Sequence, residues 1–308
     1  MPDDAVCGLD LGSNTFSFSL VDRGANGRFE VVRDGSIPCR LSEGLALDGA
    51  LHPPAVARCL AVIGRIAARL DLGERPTRAV ATQALRMTAD PSPFTEPAER
   101  LLGVPVEIID PVTEARMACR GALVGLDPSG PFATVDVGGQ STEVSWGTDP
   151  GSTEVRSLPI GAVGLTASHL GDDPPGREQM KEMRVEIRAA LDEELPDRLD
   201  GSLVALAGTA TTLAMLQLGS KSWRRDSVHG LEIERSDLLR WLDRMLAVDS
   251  QRRTVEYGIR PGRADVFPAG LAVLDEILDH TGRDRLTISA NGLRVGAALT
   301  LIEKRGRR

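Results

Sequence analysis

Paired cysteines are missing from this chain of 308 residues. Its four cysteines, Cys7, Cys39, Cys59 and Cys119, stand singly with no C-x-x-C among them, which argues against a disulfide framework or a thiolate zinc site and for a reducing, cytoplasmic setting. Histidine carries no ligand signal either: His52, His169, His229 and His280 show no metal spacing and are read as structural. Positive charge is in deficit. A net charge of −8 excludes a surface that attracts nucleic acid or an anionic membrane as a whole, so a polyanion must be held by a local site. Lysine is almost absent, with Lys181, Lys221 and Lys304 the only three among 36 basic residues. The arginine excess favours two-pronged contacts to phosphate. No long apolar run survives, because charges interrupt each one, as Arg58, Arg65 and Arg69 do within 55–70, and the opening Met1-Pro2-Asp3-Asp4 has no basic leader segment. No part of the sequence is expected to target or span a membrane. The basic close Lys304-Arg305-Gly306-Arg307-Arg308 reads as the solvated end of a helix, favoured by the helix dipole.

What the chain does have is one short pattern used twice: Asp-Leu-Gly-Ser-Asn-Thr at 10–15 and Asp-Val-Gly-Gly-Gln-Ser-Thr-Glu at 136–143. In each, an apolar run (6–9 and 133–135) delivers an Asp, then glycine and small hydroxyl residues, then an alternating stretch that reads as a second strand. A turn with glycine at its bend lets backbone N–H groups point into one concavity, and the Asp at the strand end can hold a divalent cation beside it. One Asp-Gly turn is an ordinary hairpin. Two, with the Asp and the Ser in register, point to a polyanion gripped from both sides.

Strands and helices alternate in the manner of an α/β protein. Three strands in series are expected at 5–10, 15–21 and 28–37, the last two joined by a turn at 22–27. Then follow a helix at 53–70, a strand at 78–81, a helix near 94–103, a strand at 104–109 and a helix at 112–124. A turn-rich link at 126–131 precedes a restart of the three-strand opening at Phe132, Thr142 and Glu154. Helices near 161–170 and 175–195, a strand at 203–206, helices near 209–218, 236–247 and 263–281, a strand at 286–289 and a helix from Gly292 complete the plan. Two domains are the expectation for this length, at 1–125 and 126–308, with the last helix, about 293–308, able to pack back on the first. Duplication with a shared plan implies a ligand in the cleft between the halves.

Further segments carry a resemblance: A-T-Q-A-L-R at 81–86, T-E-A-R at 113–116, S-L-P-I-G-A-V at 157–163, G-T-A-T-T-L-A at 208–214, V-H-G-L at 228–231, R-A-D-V-F-P-A-G at 263–270 and S-A-N-G-L-R-V-G at 289–296. With the two cradles, their order and spacing resemble the exopolyphosphatase and guanosine pentaphosphate phosphatase family almost end to end. The resemblance implies duplicated actin-like ATPase (ribonuclease H-like) domains and a phosphoanhydride hydrolase. Its substrate would be inorganic polyphosphate or guanosine pentaphosphate (pppGpp), and a homodimer is consistent with it.

Such hydrolysis needs the charge on the terminal phosphoryl neutralised, an in-line water, and a group to orient and deprotonate that water. Asp10 and Asp136 each end a strand at a cradle, so both are candidates to hold Mg²⁺, or Mn²⁺, and the lack of His and Cys clusters suits a hard cation. The resemblance favours Asp136 as metal-proximal and implies that Glu114 activates the attacking water; by position alone, Glu114 on a first helical turn is equally a favourable charge at a helix N-terminus. Glu143 closes the second cradle as a second base or a holder of a metal-bound water. Ser13, Asn14 and Thr15, with Gly138, Gly139, Gln140, Ser141 and Thr142, are read as hydrogen-bond donors to phosphate. Arg86, at a strand end, is read as a phosphate grip. Gly208 and Thr209 open a helix as an anion site. Arg263 and Arg294 stand at expected helix starts, where the dipole does not favour a cation, so each calls for an anion or a partner such as Asp265.

The chain departs from the family pattern at Gln140, which replaces a third glycine, and at Val295, where an acid is common. Only Glu114 remains of the usual paired acid before the helix. The helical C-terminal extension of long members has no counterpart in these residues, which implies a weaker grip on long chains. A nucleotide-binding switch or kinase of the same superfamily is the alternative of another class.

Overall fold

Residues 6–9 and 132–135 are buried without interruption, which is how a strand reads when it has neighbours on both sides and helices over both faces. Each becomes the central strand of its own sheet. This computed structural model describes residues 5–24, 27–45 and 49–306. The opening Met1-Pro2-Asp3-Asp4, Ala25 and Asn26 of the turn expected at 22–27, and Arg307 and Arg308 of the basic close lie outside the described residues.

In the first unit β1 (Val6–Leu11), β2 (Thr15–Arg23) and β3 (Phe29–Pro38) form an antiparallel meander. A parallel neighbour cannot follow through a tight turn. Helix α1 (Pro53–Leu70) therefore carries the chain over to β4 (Thr77–Ala81), parallel to β1. Short α2 (Gln83–Arg86) and α3 (Ser92–Leu102) lead to β5 (Val106–Ile108), and α4 (Pro111–Leu123) follows. The second unit repeats the meander in β6 (Phe132–Val137), β7 (Thr142–Asp149) and β8 (Ser152–Leu158). Helices α5 (Ala162–His169) and α6 (Arg177–Glu194) cross to β9 (Ser202–Leu206). Then come α7 (Ala207–Gln217), α8 (Arg225–Val228), β10 (Glu232–Glu234), α9 (Arg235–Leu246), α10 (Ser250–Tyr257), α11 (Phe267–His280) and β11 (Arg285–Ile288). The last helix is α12 (Leu293–Gly306).

The sheet orders are β3-β2-β1-β4-β5 and β10-β11-β9-β6-β7-β8. Reversed, the second reads β8-β7-β6-β9-β11 with β10 added at its edge, which is the order of the first. A three-strand meander followed by parallel crossovers, used twice, is the duplicated actin-like, ribonuclease H-like α/β fold. The contacts divide the chain into two compact units: the described residues up to Gly125 together with those from Gly292 on, and Leu126–Asn291.

In the first unit α1 lays Cys59, Val62, Ile63, Ile66 and Leu70 over one sheet face against Leu9, Phe16 and Phe94. The other face is covered by α12, whose Val295, Ala298 and Leu299 meet Val6 and Val21. Helix α12 comes this close only because side chains are missing on its path: a Cβ on Gly8 would stand 1.8 Å from the Arg294 carbonyl oxygen, and one on Gly296 would stand 1.9 Å from that of Met117 in α4. Asp10 alternates with Val6 and Gly8 and so faces α12 and α4. In the second unit α11 is buried almost all round, including Asp275 and Glu276. Those charges are tolerated because Arg184 reaches both carboxylates, Arg188 pairs Glu276 (2.6 Å) and Arg235 pairs Asp275 (2.7 Å).

Two expectations are corrected here. Helix α11 starts at Phe267, so Arg263 lies in the preceding turn; Pro268 in the first helical turn, needing no N–H bond, fixes that start. Sequence reasoning also passed over α10 and β10, because α10 is short and buries only Arg253, leaving no apolar stripe to read. All four cysteines are buried and free. No helix among the described residues is long and apolar enough to cross a membrane.

The α4–α12 crossing sets a stability test. Gly296→Ala is expected to force the helices apart and cost about 1–3 kcal/mol, read as a lower urea midpoint at unchanged slope. An unchanged midpoint would refute the close approach.

Candidate active site

Each cradle turn is fastened from behind through its carbonyls. In the first unit the Asn14 carbonyl accepts from the N–H groups of Cys39 (2.9 Å) and Arg40 (3.0 Å), and the Ser13 carbonyl from that of Ser42 (3.1 Å). In the second unit the Gly138 carbonyl accepts from Ala162 (2.9 Å) and the Gly139 carbonyl from Val163 (2.8 Å) and Gly164 (3.0 Å), all in the first turn of α5. The N–H groups of Ser13 and Asn14, and of Gly139, Gln140 and Ser141, have no partner among the described residues. Two backbone nests suited to an anion result. Gln140 lies outside the left-handed region, so this position requires no glycine. Its Oε1 reaches over α5, 3.3 Å from where a Cβ on Gly164 would stand.

Several expected phosphate donors are spent elsewhere. The Gly138 N–H closes its own turn on the Ser141 carbonyl (2.9 Å). The buried Thr142 hydroxyl donates to the Ile160 carbonyl (2.5 Å), because the first residue of β7 points into the core. The Thr209 side chain is buried against α11, its Oγ1 2.7 Å from a Cβ built on Gly270. The Ser141 hydroxyl donates to Glu143 Oε1 (2.6 Å). Ser13 Oγ accepts from the Ala84 N–H (3.1 Å), which ties the first turn to α2 and leaves the hydroxyl proton to give. Thr15 opens β2.

Glu114 lies in the first turn of α4, whose N-cap is the Asp110 carboxylate, accepting from the Thr113 N–H (2.9 Å) and hydroxyl (2.5 Å). Arg86, the last residue of α2, gives one nitrogen, Nη1, both to Glu114 Oε2 (2.7 Å) and to the Ile109 carbonyl (2.8 Å). The grip expected on phosphate is thus a grip on the acid, although Nε and Nη2 have no partner among the described residues. Asp10, on the same sheet face, has its carboxyl pushed up to about 7 by burial first and the Glu114 charge second, with Arg294 opposing. Arg294 is structural, bonding Ser19 Oγ (2.9 Å) and Asp34 (3.2 Å).

In the second unit, Asp136 on β6 stands directly opposite Glu143 on β7, and Glu143 directly opposite Ser157 on β8. The Ser157 hydroxyl donates to Glu143 Oε1 at 2.8 Å. This row lies on the sheet face away from the core that Val135, Val144 and Leu158 build. At the β9–α7 junction Ala207 is held left-handed (φ 62), a strained state for a residue with a Cβ. Arg263 lies flat on Gly208, its Nη2 2.4 Å from where a Cβ would be, with Nη1 bonded to the Gly208 carbonyl (3.1 Å) and Thr212 Oγ1 (3.0 Å). Among the described residues no carboxylate pairs it, Asp265 included. Burial and then the Arg260 charge hold its pKa below the usual arginine value.

The comparisons decide the family. The model of the Ppx/GppA phosphatase family matches residues 20–305. The chain belongs to that family. It is 31% identical over 314 residues to a protein of Mycobacterium tuberculosis named exopolyphosphatase 2, covering 96% of this chain and 98% of that one. The crystal structure of the Aquifex aeolicus family member superposes with a TM-score of 0.88 at 28% identity, covering 98% of each chain. An exopolyphosphatase from Cytophaga hutchinsonii shares the fold at a TM-score of 0.81 and 21% identity, over 97% of this chain and 98% of that one. Membership makes the chain an enzyme, a phosphoanhydride hydrolase.

Within this phosphatase, Ser157 and the Ile109 carbonyl were missed by sequence reasoning; only the strand register, which no motif displays, brings Ser157 to Glu143. The donor set also tests the implied cation. Asp10, Asp136 and Glu143 offer only oxygen, and no three Asp, Glu, His or Cys side chains converge on one point among the described residues. Oxygen donors of this kind fit Mg²⁺, a hard cation that takes one or two carboxylates together with water and phosphate oxygens.

Three of the four histidines make structural contacts, His169 with Glu186 (2.6 Å), His280 with the Pro196 carbonyl (3.1 Å) and His229, whose Nδ1 accepts from the Ala290 N–H (3.3 Å).

Because Asp10 is raised from 3.8 to about 7, folded protein keeps a proton there that unfolded chain loses. Its burial therefore costs stability increasingly as pH rises through that window, and in full above it. In cation-free buffer, Asp10→Asn is expected to melt with the wild type near pH 3, progressively above it as pH rises from about 4 to about 7, and by a constant margin beyond that. A difference that is flat with pH would refute the burial of this charge.

Proposed function

We propose that this phosphatase is an exopolyphosphatase, releasing orthophosphate from the end of inorganic polyphosphate by attack of water. The observation that carries the reading is the Arg86–Glu114 pair, 2.7 Å apart on two adjoining elements of the first unit. It joins a carboxylate able to take a proton to a guanidinium with nitrogens left over for phosphate. The name of the mycobacterial relative supports polyphosphate as the substrate.

In this reading a water hydrogen-bonded to Glu114 passes it a proton as its oxygen bonds the terminal phosphorus. The bond from that phosphorus to the bridging oxygen breaks, and the shortened chain leaves with the electron pair. The N–H groups of Ser13 and Asn14, the Ser13 hydroxyl and the remaining nitrogens of Arg86 bind phosphoryl oxygens in the first unit. In the second, the N–H groups of Gly139, Gln140 and Ser141 and the unpaired charge of Arg263 are the groups suited to phosphate. Asp136 and Glu143 in the second unit, and Asp10 taken by itself in the first, are the residues that would hold Mg²⁺, which supplies neutralisation of phosphate charge when bound.

Phosphate release from polyphosphates of several lengths, pppGpp and ATP, measured with and without Mg²⁺, tests this. Polyphosphate is expected to be cleaved in a Mg²⁺-dependent reaction, and Glu114→Gln to lose about 10²–10⁴ in kcat while still binding polyphosphate. Release from pppGpp alone would reassign the substrate. ATP binding with no release from any phosphoanhydride would favour a switch or kinase and sink the proposal.

A further inference from the structure

The duplicated sheets allow each position to be read against its counterpart. In the first unit Asp10 is opposite Ser17 and Ser17 opposite Ser36, with the two serine hydroxyls 3.1 Å apart. In the second the same three places hold Asp136, Glu143 and Ser157. Both outer-strand serines are exposed and both bond the middle residue, but only in the second unit is that residue an acid. Directly opposed residues share a face of the sheet, and two like charges so placed repel. Glu143 has three side-chain torsions, and swinging away from Asp136 would relieve the repulsion. Two hydroxyls prevent this by donating to one of its oxygens: Ser141 at 2.6 Å from within the cradle, and Ser157 at 2.8 Å from the neighbouring strand. The other oxygen, Oε2, has no partner among the described residues.

We propose that Ser157 is a positioning residue for phosphoanhydride hydrolysis, acting by holding the Glu143 carboxylate beside Asp136 with one oxygen presented. This deepens the function proposed above and rests on it. The hydroxyl donates to the acid's inner oxygen, so the outer one stays oriented for a cation or its water. Outer partners of this kind are worth about 10–100-fold in metal affinity or activity.

The test compares Ser157→Ala, Ser157→Thr, Ser36→Ala, Glu143→Ala and the Ser157→Ala/Glu143→Ala double variant in the full chain. It reads kcat and KM for polyphosphate, Mg²⁺ affinity by calorimetry, and melting temperature. Ser157→Ala is expected to lower kcat about tenfold at little-changed KM, to weaken Mg²⁺ binding, and to melt with the wild type. Ser157→Thr, which keeps the hydroxyl, regains most of both. Ser36→Ala removes the matching bond where no acid is served and leaves kcat unchanged. In the Glu143→Ala background the serine change adds no further loss. Unchanged kcat and Mg²⁺ affinity in Ser157→Ala, an equal loss in Ser36→Ala, or a full further loss in the double variant would each overturn the proposal. Wild-type protein that binds Mg²⁺ but releases phosphate from no phosphoanhydride defeats the function reading alone, since the calorimetric comparison still decides on Ser157; wild type that does neither defeats both.

Discussion

A peptide group carries its N–H and its C=O on opposite sides, so a turn can offer a row of N–H groups to an anion only if something behind it takes the carbonyls. That requirement organises both units. After β3 the chain doubles back so that Cys39, Arg40 and Ser42 bond the carbonyls of Asn14 and Ser13. After β8 it enters α5, whose first N–H groups have no partner inside their own helix and take the carbonyls of Gly138 and Gly139 instead. The same turn is thus fixed by a loop in one unit and by a helix end in the other. In the second unit two deficits cancel, since the helix needs acceptors and the turn needs its carbonyls removed.

From that shared scaffold the units diverge in chemistry. The first brings its acid from a neighbouring helix: Glu114 on α4, held by Arg86 from α2 and close enough to Asp10 to raise it. The second builds its acid into the sheet, where Glu143 faces Asp136 across β6 and β7. A side chain on a helix can be reoriented by moving the helix, whereas a residue in a strand ladder cannot leave without breaking register. The first arrangement suits a group that meets changing species during a reaction. The second suits one that holds a fixed charge.

Much of this was legible in the sequence because it depends on local pattern. The two Asp-Gly turns, the three-strand openings and Glu114 on a first helical turn follow from runs of a few residues whose spacing is visible. The failures concern partners that lie far along the chain. Thr142 and Ser141 are neighbours with similar hydroxyls, yet one donates into the core to Ile160 and the other outward to Glu143; strand parity decides this, and it is known only once the register is. Arg86 finds Glu114 28 residues away, and nothing in A-T-Q-A-L-R says that the guanidinium is spoken for. Arg263 was placed at a helix start because R-A-D-V-F-P reads as continuous, whereas Pro268 shifts the start to Phe267.

The distribution of arginine shows what the second unit holds in reserve. Buried guanidinium groups are costly unless paired, and in an acidic chain carboxylates are abundant. Several arginines of the unit follow the pattern: Arg184, Arg188 and Arg235 share Asp275, Glu276 and Asp279, and the fully buried Arg253 reaches Asp173 at 2.9 Å, whereas half-buried Arg283 has only the Leu199 carbonyl among the described residues. Arg263 breaks it, lying on Gly208 at the start of α7 with only a carbonyl and a hydroxyl as partners and with Arg260 near enough to repel it. The N-terminal end of a helix is itself partly positive, so three unfavourable terms add at one place. The strained Ala207 turn that sets this junction costs something further. Left without a carboxylate among the described residues, Arg263 would be relieved by a negative charge arriving from outside, and under the function proposed above that charge would be a phosphate.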